Sequence, residues 1–121
     1  MKFFFRKPVF PILVDTGTEL IVLRRAGEGD RLTRLVEPDA RPLAVIDSRV
    51  EGFAYHPKHD TISPLTLKKD WRKAEIIALY NARKPDDAPP YAPKLASRKL
   101  VQVFADVVDL VRPTRAGRAA R

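Results

Sequence analysis

Three stretches of the sequence carry side chains whose types and spacing could do chemistry. The first is cationic. Lys68, Lys69, Arg72 and Lys73 surround Asp70 and Trp71, and in a helix Lys69, Arg72 and Lys73 share one face. Four cations at a helix N-terminus oppose the helix dipole. That placement predicts an anion such as a phosphate there. Arg98 and Lys99 extend the patch, and a tail carrying Arg112, Arg115, Arg118 and Arg121 follows. Together they predict a grip on a nucleic-acid backbone or another polyanion, made by charge and without sequence readout. A solvated helix face with a solubilising tail has the same composition.

The second stretch is His56-Pro57-Lys58-His59-Asp60. His-x-x-His with an adjacent carboxylate has the ligand types for a metal, or a general base at His59 oriented by Asp60. The same residues suit an ordinary polar loop. The third is Asp15-Thr16-Gly17. Asp and Gly tolerate turn dihedrals, so a hairpin turn accounts for them.

Leu13-Val14-Asp15-Thr16-Gly17-Thr18-Glu19-Leu20-Ile21 also resembles the active-site loop of the pepsin and retropepsin-like aspartic peptidases. The resemblance covers about nine residues. It implies a dimer in which Asp15 of each subunit meets at the axis, the two carboxylates share one proton, and a water is activated for attack on a peptide carbonyl. That family also uses a second element, two hydrophobic residues followed by Gly. Here Gly27, Gly29, Gly52 and Gly117 follow Arg-Ala, Gly-Glu, Val-Glu and Arg-Ala.

Composition narrows the classes further. The chain has 121 residues, 45% of them hydrophobic and 31% charged, which suffices for one domain with a core. Without cysteine there is no disulfide, thiolate zinc site or cysteine nucleophile. No cofactor motif is present, since Gly27-x-Gly29 has Leu32 where a third glycine belongs. No window is long and apolar enough for a transmembrane helix. The opening apolar run stops after three residues, short of a secretory signal, so the expected location is cytoplasmic. The net charge of +8 is uneven: residues 1 to 7 carry +3, 8 to 60 carry −2, 61 to 99 carry +5, 100 to 111 carry −2 and the last ten +4.

The elements that must position these residues follow from periodicity. Val9 to Arg24 reads as a β-hairpin in which Leu13 faces Leu20, Ile12 faces Ile21, Pro11 faces Val22 and Phe10 faces Leu23. Pro11 lacks an N–H, which marks an edge strand. Both hairpin faces are apolar and need cover from helices, another sheet layer or a second copy of the chain. Further strands are expected at residues 3–6, 31–36, 43–46 and 50–55, and residues 56–60 lead out of the sheet. A helix spans about 67–83, with Ser63, Thr66 or Asp70 as its cap. A proline-rich linker covers 85–93. A second helix spans about 94–111, with Leu100, Val103, Phe104, Val107 and Val111 as its apolar stripe. Residues 112–121 read as a disordered basic tail.

The expected fold is α+β: an antiparallel meander or small barrel of four to six strands, then two C-terminal helices, in a single domain over residues 1–111. The leading functional reading is a binding module for nucleic acid or another polyanion through Lys68, Lys69, Arg72, Lys73, Arg112, Arg115 and Arg118. The alternative is the dimeric aspartic peptidase. A third is a structural protein that associates through its apolar sheet.

Overall fold

Ile12 to Asp15 (β2) and Leu20 to Leu23 (β3) form the expected hairpin, and all of their residues except Asp15 are buried. In the computed structural model, which describes residues 1–65 and 70–111, Ile12 faces Leu23, Leu13 faces Val22, Val14 faces Ile21 and Asp15 faces Leu20. The register differs from the expected one by two residues. A shift of two leaves every side chain on its own face, because strand side chains alternate with period two. The shift follows from the turn, a four-residue loop in which Thr16 N donates to Glu19 O at 3.0 Å. Gly17 sits at φ 93°, where a side chain would be strained.

Four more strands complete the sheet: Lys2–Phe3 (β1), Leu43–Ile46 (β4), Gly52–His56 (β5) and Thr61–Pro64 (β6). Their spatial order is β1-β6-β5-β4-β2-β3. Every pairing is antiparallel except that of β1 with β6. The sheet is therefore mixed and open, not a closed barrel, with β1 and β3 at its edges. Pro11 does not mark an edge. It precedes the first residue of β2, an internal strand, so its missing N–H removes no ladder bond.

Of residues 31–36, expected as a strand, 31–35 belong instead to a short helix, Asp30–Leu35 (α1), and Val36 caps it in extended backbone. Leu32 and Leu35 are three apart and meet one apolar surface, a helical rather than a strand spacing. Residues 57–59 do not leave the sheet. They make one 3₁₀ turn, and Asp60 at φ 47° returns the chain as β6.

The other two helices are Lys73–Arg83 (α2) and Leu100–Leu110 (α3). Both are shorter than their periodicity suggests. Arg72 is extended (φ −98°, ψ 155°) and caps α2, with its N–H donating to Glu75 Oε1 at 2.9 Å. None of the expected caps serves: Ser63 lies in β6, Asp70 bridges to Glu51, and Thr66 lies outside the described residues. The proline-rich stretch is pinned. Tyr91 N donates to Asn81 Oδ1 at 2.9 Å, and Asn81 Nδ2 returns a bond to Tyr91 O at 3.0 Å.

The doubly apolar sheet is covered on both sides within the chain. Leu13, Leu20, Val22 and Ile46 pack with Ile76 and Tyr80 of α2 and with Val103, Phe104, Val107 and Val108 of α3. On the opposite face Ile12, Val14, Ile21, Leu23, Val45, Phe53, Tyr55 and Ile62 pack beneath Leu32, with Met1, Phe3 and Phe10 closing the layer. The ground for expecting a second copy over β2 and β3 is thereby met by this chain's own helices. Among the described residues no helix is long and apolar enough to cross a membrane.

Candidate functional site

Asp15 stands at the mouth of the hairpin turn, and both of its oxygens are engaged. Oδ1 accepts from the Gly17 N–H at 2.8 Å and from Arg83 Nε at 2.8 Å, while Oδ2 lies 3.4 Å from the Arg83 terminal nitrogen. The carboxylate in turn raises the Arg83 guanidinium above its ordinary value, by hydrogen bonding first and charge second. A shallow hollow of about 420 Å³ lies beside this turn, bounded by residues 15–17 and 40–44. Asp15 thus closes the turn and ties it to the end of α2.

The histidine stretch is divided among separate tasks. His56 Nε2 lies 2.9 Å from Ser63 Oγ across the β5–β6 ladder. Asp60 Oδ1 accepts from the Tyr55 hydroxyl at 2.7 Å, and Asp60 Oδ2 lies 3.2 Å from the Met1 amine. Burial, followed by that bond, pushes the Tyr55 phenol well above its ordinary range. Asp60 thus orients Tyr55 rather than His59. Among the described residues no three His, Asp or Glu side chains gather as a metal set.

The basic residues of the second half separate into committed and exposed groups. Lys73 Nζ donates to the carbonyls of Leu95 (2.5 Å) and Arg98 (2.9 Å), tying α2 to the turn before α3. Arg98 makes a bidentate contact with Asp106, its terminal nitrogen 2.8 Å from both oxygens, and the Tyr91 hydroxyl donates to the same carboxylate at 2.5 Å. Neither Lys73 nor Arg98 is available as a loose surface cation. Arg72 and Lys99 are exposed. Lys68, Lys69, Arg112, Arg115 and Arg118 lie outside the described residues, as does Arg121.

Sequence reasoning missed a polar node at the turn between β4 and β5. Asp47 is fully buried. Its Oδ1 accepts from the N–H groups of Arg49 and Glu51, both at 3.0 Å, and its Oδ2 accepts from Val9 N at 3.0 Å. Arg49 Nε approaches the same Oδ2 at 3.4 Å. Glu51, also buried, takes a bidentate bond from Arg6, whose guanidinium carbon sits 5.7 Å over the Phe53 ring. Ser48 N donates to Val9 O at 2.9 Å, and Trp71 N donates to Val50 O at 3.0 Å. Three remote segments, residues 6–9, 47–51 and 70–71, therefore meet at one turn.

Two residues at this node are held in left-handed backbone: Val50 at φ 66° and Phe5 at φ 62°. For residues with a Cβ that region costs roughly 1–2 kcal/mol each. Val50 is fixed by burial and by its bond to Asp47 O at 2.8 Å. Phe5 is the middle residue of a γ-turn closed by Arg6 N to Phe4 O at 2.7 Å, and its side chain is 92% exposed. Such turns with positive φ are rare and strained. The segments that meet here carry exposed cations at Arg6, Lys7, Arg49 and Arg72 and one exposed carboxylate, Asp70, and Lys2 in β1 is exposed as well. The signal available in the sequence was Phe-Phe-Phe between Lys2 and Arg6-Lys7, a tract that the strand reading absorbed.

A scan of protein-family models and searches of curated proteins and of solved structures returned no match to this chain.

Proposed function

We propose that this protein is a binding module for a polyanion, with a nucleic-acid backbone as its occupant. The observation that supports this reading is the node at Asp47 and Glu51. It holds the basic N-terminal segment, through Arg6 and Val9, beside Asp70 and Trp71, the residues that directly follow Lys68 and Lys69 in the chain. The basic N-terminal segment and the stretch that carries Arg72, some sixty residues apart in sequence, are thereby joined to one turn. Two of the acids at this node, Asp47 and Glu51, face inward onto backbone N–H groups and Arg6, while Lys2, Lys7 and Arg72 are exposed and outnumber the one exposed acid beside them, Asp70. The Arg112 to Arg121 segment adds charge from the far end of the sequence.

Binding of this kind is driven by release of counterions and falls steeply with salt. Fluorescence anisotropy with a labelled oligonucleotide tests it. Retention at low salt that weakens at least a hundredfold between about 50 and 200 mM is expected if roughly five cations take part. Absence of binding at low salt refutes the reading. Changing Lys68, Lys69 and Arg72 together to Ala, while leaving Lys73 to its structural bonds, is expected to weaken binding at least tenfold. Replacing Arg112, Arg115 and Arg118 with Ser reports the share of the tail.

A further inference from the structure

We infer that Phe4 and Phe5 form a stacking site for unpaired bases, so that the occupant is a single strand rather than a duplex; this inference rests on the polyanion-binding reading above. The two rings are the clearest departure from what stability alone would select. Phe5 occupies a γ-turn position with positive φ, where Gly or Asn fits without strain, yet it carries a large apolar ring that is 92% exposed. Phe4 beside it is 59% exposed. A strained, solvent-facing aromatic gains nothing from burial, and residues held in sparse backbone regions cluster at binding sites.

The turn is anchored on both sides. Phe4 N donates to Ile62 O at 2.9 Å, Arg6 is bound bidentately by Glu51, and Val9 N donates to buried Asp47. The rings are therefore presented on a fixed support, which lowers the entropy lost when a ligand stacks on them. Their centroids are 5.5 Å apart and their planes differ by 54°. They do not form one flat platform, and each offers a face to a separate base.

The chemistry around the rings selects an anionic ligand. Lys2 and Lys7 flank them, Arg6 being engaged by Glu51, and the chain has no acidic residue before Asp15. Single-strand binders combine such cations, which track the phosphates, with aromatic rings that take the bases. A duplex keeps its bases stacked within the helix and offers these rings nothing. A lipid surface is the other anionic candidate. Two rings and the partly exposed Val9 make a small apolar area for insertion, whereas stacking needs one ring per base.

The test is anisotropy of the full chain with a labelled 12-nucleotide oligothymidylate, a 12-base-pair duplex and heparin, together with sedimentation on phosphatidylglycerol vesicles. The single strand is expected to bind at least tenfold tighter than the duplex. Phe4→Ala and Phe5→Ala are each expected to weaken it roughly tenfold, in line with the loss of one stacked base. Duplex and heparin binding should not change in these variants, and Phe5→Trp should retain tight single-strand binding. Phe5→Gly separates folding from binding: it should keep or raise the melting temperature while weakening the single strand as Phe5→Ala does. Equal affinity for all three polyanions, unchanged by either Ala substitution, overturns the stacking site and leaves the charge-driven reading standing. No binding to any of them at 50 mM salt removes both. Vesicle binding that needs Phe4 and Phe5, with oligonucleotide binding that does not, overturns the inference in favour of a lipid surface. A fall of several degrees in Phe5→Gly assigns the ring to the fold and overturns it as well.

Discussion

Arg83, in the last turn of α2, donates through Nε to Asp15 Oδ1 at 2.8 Å, joining the helix to the hairpin turn across 68 residues of sequence. The pair gives the Asp of this Asp-Thr-Gly a structural task at the turn. The same Oδ1 closes the turn by accepting from Gly17. Asp15→Ala loses that local bond, worth about 1 kcal/mol, and should lower the melting temperature by roughly 3–6 °C in a chain of this size. Asp15→Asn keeps an acceptor for Gly17 and should cost less. Incubation with unfolded casein at acid pH should give no cleavage. Acid-dependent proteolysis lost in Asp15→Asn would restore the catalytic reading.

The β4–β5 turn should be the most sensitive site in the molecule. Asp47 satisfies three backbone N–H groups, that of Glu51 fully buried and those of Val9 and Arg49 partly so. Asp47→Ala leaves the Glu51 N–H buried and unpaired, at about 1–3 kcal/mol, and removes two part-buried bonds at about 1 kcal/mol each. A loss of about 3 kcal/mol or more is expected from urea denaturation. Asp47→Asn should cost less than Ala, since one oxygen remains while an amide N–H₂ faces either Val9 N or the two N–H groups of Arg49 and Glu51.

The contact of Tyr91 and Arg98 with Asp106 makes stability depend on pH at both extremes. Burial, with help from the bond to Asp106, pushes the Tyr91 phenol from 10.0 up to about 12. Its folded state binds the proton more tightly than its unfolded state, so the stabilisation is complete below about pH 10 and fades as pH climbs toward 12. The bonds from Tyr91 and then Arg98 hold the Asp106 carboxyl below its ordinary 3.8, against the opposing effect of burial. Its stabilisation is complete above about pH 4 and is lost as pH falls through the depressed value. Urea midpoints measured across pH should therefore decline at both ends. Tyr91→Phe should reduce the alkaline decline, leaving the part that Tyr55 contributes, and Asp106→Asn should reduce the acid one.

Lys73 is expected to behave differently from its basic neighbours. Its ammonium holds two carbonyls of the segment before α3. Lys73→Ala should lower the melting temperature, whereas Arg72→Ala, which removes an exposed cap side chain, should leave it within about a degree. A thermal-shift comparison of the two separates structural from surface cations.

The sequence was most legible where burial and periodicity agree. The hairpin faces, the strand at 43–46 and the stripe of α3 all follow from apolar spacing, because each lies against a core that its pattern specifies. The misreadings share a physical cause. The hairpin register depends on a four-residue turn rather than on hydrophobicity, and a slip of two preserves every face. At α1 the Leu32 and Leu35 pair is too short to show a helical period. At β6 the single buried run Thr61-Ile62 is masked by Ser63 and Pro64. The node at Asp47 and Glu51 was invisible for another reason: its bonds join segments distant in sequence, and no local pattern encodes such a meeting. For the candidate interface the composition indicated charge, but which cations are committed to carbonyls and carboxylates depends on how α2, α3 and the proline-rich stretch pack.

The γ-turn at Phe5 has a consequence for how the molecule behaves at high concentration. Met1 to Phe5 contains three consecutive phenylalanines on the rim of an open sheet, the kind of segment that recruits neighbouring chains into cross-β stacks. The turn diverts the backbone after only two paired residues, Lys2 and Phe3, so the free rim is too short to template an added strand. Lys2 and Lys7 bracket the tract with like charge that repels an approaching copy. The kink that holds the aromatic rings outward thus also keeps them from becoming a nucleus for aggregation.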